Sequence, residues 1–167
     1  MGVFMKQDEI EDKLDETRER LLVALEHLPD EALVQKGVLG DWSISDFLAN
    51  LVAWEAELVT GLMHVRQGKR PQSLLKALAD PETYNRARYQ EYDGRDLNLI
   101  FDDLQGVRVQ LEGWLTEFND RELNDPKAFP ALGGRPLWQL IQRCSYGREA
   151  QKLMFIERFA AAYQEEE

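Results

Sequence analysis

The chain has 167 residues, a length suited to one domain, and its 44% hydrophobic content is enough to fill one core. Its 20 Lys and Arg stand against 31 Asp and Glu, a net charge of −11 that repels phosphate backbones and anionic headgroups alike, so neither nucleic acid nor membrane is expected as a partner. The lone cysteine, Cys144, has no intramolecular disulfide partner, and the acidic opening lacks the apolar core of a signal peptide, so a cytoplasmic protein is expected.

In chain order, Ile10, Leu14, Leu21, Leu25 and Leu28 recur at helical spacings among charged residues, which predicts an amphipathic helix over residues 7–28, ended by Pro29-Asp30. A second helix opens at Ser43, a good N-cap, with Asp46 in the capping-box position, and its apolar stripe runs through Leu62 and Val65 to Gly68. The third helical region opens with Asp80-Pro81, is interrupted or kinked at Asp93-Gly94, and restarts after Asp96 with a stripe from Leu97 to Phe118. Pro136 suits the first position of a last helix carrying Leu137, Leu140, Ile141, Cys144, Met154, Phe155 and Phe159. No alternation of period two appears, so no strand is expected. The expected fold class is all-α, a single four-helix-bundle domain over residues 1–167.

Polar residues interrupt two of these stripes. Positions four and seven apart share a helix face, which sets Asn50 with Phe47, Trp54, Gly61 and His64. On the last helix the same rule aligns Leu140, Cys144, Gly147, Gln151, Met154 and Arg158. A buried amide without partners costs about 1–3 kcal/mol, so Asn50 and Gln151 need each other, a tyrosine, water or a bound molecule. One reading is a structural hydrogen bond that fixes helix register; the other is the wall of a binding pocket.

The segment "GVLGDWSISDFLANLVAWEAELVTGL" followed by "GKRP" resembles the second-helix signature of DinB-like four-helix bundles: Gly, a variable residue, Trp-Ser, Asp, then Leu-Ala-His-Leu and a Trp-Glu pair. "YNRARYQEYDGRDLNLIFDDL" and "LWQLIQRCSYGREAQ" are similar to the third- and fourth-helix segments of one branch, the ClbS/DfsB family. The resemblance spans about residues 7 to 160. For metal-binding members it implies one histidine on the second helix and two on the last, and the corresponding positions here are Asn50, Gly147 and Gln151. None is an imidazole, so no metal and no other cofactor is expected. The ClbS/DfsB branch implies metal-free hydrolytic opening of an electrophilic cyclopropane, with a tyrosine at the place of Asn50; Tyr84, Tyr89, Tyr92 and Tyr146 are the candidate substitutes.

Three functional readings follow from the residues and the resemblance. The first is a small-molecule pocket walled by Asn50, Trp54, Tyr146, Gly147 and Gln151, binding or hydrolysing a reactive electrophile in a stress or self-protection role. The second is a non-enzymatic interaction module, such as a homodimer, with Gly61, Gly106, Gly113 and Gly147 permitting close helix approach. The third is an unorthodox metal site using Glu57, His64 and a further carboxylate. Cys144 lacks a histidine to activate it and reads as a buried inert thiol, while Glu55 reads as a surface charge or ion-pair member, and the Trp-Glu pair of the resemblance implies a structural or rim role for it.

Overall fold

A computed structural model describes residues 3–166. In chain order its helices are α1 (Gln7–Leu25), α2 (Asp30–Leu33), α3 (Ile44–Arg66), α4 (Gln72–Ala79), α5 (Pro81–Tyr92), α6 (Leu97–Leu115), α7 (Asp120–Asn124), a 3-10 turn at Pro130–Leu132, α8 (Leu137–Cys144) and α9 (Tyr146–Glu165). Among the described residues there is no strand, only an isolated bridge between Leu39 and Trp42. No described helix is long and apolar enough to cross a membrane.

The predicted starts are built as the residues dictate. Ser43 accepts from the Asp46 N–H while Asp46 accepts from the Ser43 N–H, closing the capping box of α3. Asp80 caps α5 ahead of Pro81. The first helix stops at Leu25, earlier than the expected 28, and α2 follows as a separate turn after Pro29.

The four long helices form the bundle, with α1 packed mainly on α9 and α3 mainly on α6. Arg18 pairs with Glu149 and Arg20 with Glu157, so α1 and α9 run parallel. Glu55 pairs with Arg108, and Arg66 donates to the Glu117 carbonyl, so α3 and α6 also run parallel. Gln7 reaches the Leu115 and Phe118 carbonyls while Arg108 reaches that of Leu14, which makes α1 and α6 antiparallel. Two parallel neighbours need a return connection, and between α3 and α6 residues 67–96 supply it.

That return explains α5. It runs back along α3, with Tyr84 Oη donating to the Ala53 carbonyl and Tyr89 stacked on Trp42. The chain therefore reverses at Asp93-Gly94, where Gly94 has φ +80°, and α5 and α6 are separate helices of opposite direction. No residue of α5 is fully buried, so it is fastened by polar ties more than by an apolar stripe. One tie is the Lys36 ammonium, which donates to Asp46, Tyr89 and Asp93.

The centre of the bundle is ionic. Arg18 of α1, Glu55 of α3, Arg108 of α6 and Glu149 of α9 are all buried, the two carboxylates completely. Arg18 bridges Glu55 and Glu149 at 2.8 Å each, and Arg108 bridges the same two at 2.7 and 2.9 Å. Burial pulls the Arg108 pKa down, but the two carboxylates overcome it and hold the group above its ordinary value. Glu55 is thus no rim residue: it lies four positions after Leu51 and three before Leu58, in the middle of the core-facing stripe.

Candidate functional site

Asn50 is buried on the core side of α3, and its Nδ2 donates to Oδ1 of Asn85 on α5 at 2.9 Å. Trp54, one turn along α3, donates its indole N–H to the same oxygen at 2.8 Å. An indole N–H is only a donor, so the Asn85 atom it meets is the oxygen, and the Asn50 group meeting that oxygen is the NH2. Trp54 therefore sets both amides. The Asn85 NH2 and the Asn50 carbonyl oxygen remain as the free halves of the pair on residues that line a cleft of about 310 Å³ between α3, α5 and α9.

Arg148 enters this cleft from the first turn of α9. Its guanidinium carbon lies 4.3 Å from the Trp54 ring centroid, a cation–π contact, and the buried Nε has no hydrogen-bond acceptor. Burial holds its pKa below the ordinary arginine value. Trp54 is thus a shared platform: its edge holds Asn85, and Arg148 and Tyr84 lie against its ring.

The expected seam of the last helix does not exist. Ser145 leaves helical geometry (φ −135°, ψ −107°), with its hydroxyl donating to the Ile141 carbonyl, and the rod divides into α8 and α9. The break rotates the following residues: Tyr146, Glu149, Leu153, Ile156 and Ala160 face the core, while Gln151 and Met154 are exposed. Gln151 still reaches the cleft, at its mouth. Tyr146 does not; it sits in the apolar core, its hydroxyl buried and unpartnered, and burial pushes its pKa up to about 12. Gly147 leaves no vacant space for a ligand, because a Cβ there would stand 2.7 Å from the Gln142 carbonyl oxygen; the close approach of α8 and α9 is what requires glycine. Of the five sequence candidates, Asn50 and Gln151 line the cleft, Trp54 stands behind it against Asn85 and Arg148, and Tyr146 and Gly147 lie at the break and not on the cleft.

Two residues of the site escaped the sequence reading. Asn85 belongs to a helix with no fully buried residue and is itself polar and half-buried, so no apolar stripe singles it out. Arg148 carries a signal visible only once the break is known: a cation in the first turn of α9 opposes the helix dipole, and such a placement asks for a reason.

The family model described as the DinB superfamily matches residues 13–146. The chain belongs to the DinB superfamily. Among solved structures it is similar to an uncharacterised protein from Escherichia coli UTI89, with a TM-score of 0.74 at 17% identity over 95% of both chains. It is also similar to a protein from Streptococcus pneumoniae, with a TM-score of 0.71 at 12% identity over 95% of this chain and 92% of that one. At these identities the likeness concerns the fold. No curated protein matches the chain.

This DinB chain does not fit the three-imidazole metal site of some relatives. The Asn50 NH2 is committed to Asn85, Gly147 has no side chain, and Gln151 is exposed at the mouth of the cleft. Among the described residues no three His, Cys, Asp or Glu are grouped to hold an ion, and Glu57 instead accepts from the Ser73 hydroxyl. Of the tyrosines named as substitutes, Tyr84 and Tyr89 are hydrogen-bonded and Tyr146 lies in the apolar core. Tyr84 donates to a backbone carbonyl, and burial, then Glu57, raise its pKa above the phenol range; Tyr89 accepts from Lys36. The interhelical glycines divide as well: Gly61 seats Leu74 of α4, whereas Gly106 and Gly113 of α6 face open space.

Proposed function

We propose that this DinB-superfamily chain is a metal-independent small-molecule binding protein whose site is the cleft between α3, α5 and α9. The observation carrying this reading is the Asn50–Asn85 amide pair, oriented by Trp54 and lining a 310 Å³ cleft. Oriented donors and acceptors on the wall of a concavity near the lower end of the usual 300–1,000 Å³ range are what fixes a small ligand. The resemblance to the ClbS/DfsB branch supports a reactive ligand and a stress or self-protection role, with turnover by hydrolysis as its fuller form. The hydrogen-bonded Tyr84 and Tyr89 and the core position of Tyr146 favour sequestration over hydrolysis.

The test is thermal-shift screening of the full chain with neutral, anionic and electrophilic small molecules, electrophilic cyclopropanes included, followed by mass spectrometry of any electrophile that binds. Stabilisation that disappears in Asn85→Leu supports the site, and unchanged ligand after incubation assigns binding alone. No stabilisation by any member of the panel overturns the proposal.

A second reading, an interaction module or homodimer, draws on the exposed Leu22 and Val23, which line a groove of about 650 Å³ beside α1 and α6. Sedimentation distinguishes the two: a concentration-dependent dimer favours this reading, and a monomer favours the first.

A further inference from the structure

We propose that the cleft is a carboxylate site, taking a small organic monoanion with an apolar body, and that Arg148 is its anchor. This deepens the small-molecule reading and rests on it.

The protein's other buried or half-buried arginines all have a carboxylate partner, although the Arg88 Nε, like that of Arg148, meets no acceptor. Arg18 and Arg108 each meet two carboxylates, and the half-buried Arg88 meets Glu91. Arg148, half-buried in a chain with 31 acidic residues, has no carboxylate within ion-pair distance among the described residues, and its buried Nε meets nothing. A guanidinium removed from water is normally paired, because the desolvation is otherwise uncompensated. The positive end of the α9 dipole adds to the same local potential.

The surroundings are arranged for an anion. Arg148, Gln151 and Lys152 stand at spacings of three and four on α9, hence on one face, and all line the cleft. Across from them Asn85 offers its NH2, since Trp54 has taken the amide oxygen. A guanidinium lying over an indole with its Nε buried keeps its two Nη groups for a planar acceptor, and a carboxylate matches that fork with two parallel bonds. The apolar body has Trp42 and Phe47 of the same cleft to rest on. The lining holds one acid, the exposed Asp41, against two cations. A monoanion is favoured over a dianionic phosphate because the net charge of −11 opposes the second negative charge more than this short cationic face can offset.

The experiment is isothermal titration of the full chain with phenylacetate, with phenylacetamide as the isosteric neutral control and with inorganic phosphate, at low and high salt. Phenylacetate is expected to bind at least tenfold more tightly than its amide and than phosphate, with affinity falling as salt rises. Arg148→Lys keeps the charge but loses the fork, and is expected to weaken phenylacetate about tenfold. Asn85→Asp keeps the acceptor for Trp54 and Asn50 while setting a negative charge beside Arg148, and is expected to weaken phenylacetate about tenfold or more. Circular dichroism and the melting temperature of both variants verify that they fold. Equal binding of phenylacetate and phenylacetamide, unmoved by Arg148→Lys, overturns the carboxylate assignment and leaves the small-molecule site standing. Tighter binding of phosphate than phenylacetate overturns the assignment too. No binding of phenylacetate, its amide or any other small molecule removes both proposals.

Discussion

Replacing Glu149 with Gln tests whether the ionic centre of the bundle carries the fold. The native quartet sets two guanidiniums against two carboxylates, and Glu149 accepts from Arg18 at 2.8 Å and from Arg108 at 2.9 Å while fully buried. Glu149→Gln leaves two cations facing Glu55 alone, one uncompensated positive charge between four helices. Breaking a buried pair in this way costs about 3–5 kcal/mol. For a chain of this size each kcal/mol corresponds to about 2–4 °C, so the melting temperature is expected to fall by roughly 6–20 °C. The double variant Arg18→Met with Glu149→Leu leaves the neutral pair of Arg108 and Glu55, and is expected to lose less stability than Glu149→Gln alone. Urea unfolding followed by circular dichroism measures both, with an unchanged slope showing that the denatured state is not the source. A loss below about 1 kcal/mol in Glu149→Gln, or a double variant weaker than the single, refutes the reasoning.

Three further outcomes are expected. Gly147→Ala forces a Cβ to within 2.7 Å of the Gln142 carbonyl and is expected to lose about 1–3 kcal/mol in urea unfolding, whereas Gly106→Ala, exposed in mid-helix with nothing within 4 Å, is expected to gain up to about 1 kcal/mol. Burial, then the hydrogen bond and charge of Asp15, raise the Glu112 pKa above its unfolded value, so its ionisation removes stability as pH rises through the folded value. Glu112→Gln is therefore expected to raise the melting temperature at about pH 7 and to have no effect near pH 3.5, below the ordinary glutamate pKa; an equal gain at both pH values contradicts the assignment. Burial pushes the Cys144 thiol up to about 12, so iodoacetamide at about pH 8 is expected to leave it unmodified in the native chain and alkylate it in urea, as mass spectrometry reads directly.

How much of this was legible in the sequence varies with the kind of signal. The helix starts at Ser43 and Asp80 could be read because caps are local chemistry, and the stripes of α1, α3 and α6 because burial on one face has a period. The same periodicity misled at the last helix, where it was carried through Ser145 as if the rod were straight. Arg18, Glu55, Arg108 and Glu149 all stand at core-facing stripe positions, yet each looks like an intrusion until the other three are known.

The amino-acid order by itself determined an all-α bundle of the DinB superfamily with an amide at Asn50 in its core face, because caps and apolar spacing act within a few residues of the chain. Only the tertiary structure decided that α5 folds back on α3 to bring Asn85 to Asn50 and Trp54, and that the break at Ser145 turns Arg148 into the cleft and Tyr146 out of it. Those choices depend on the direction in which helices distant in sequence run past one another, and the half-buried, largely polar face of α5 carries no apolar stripe to announce it.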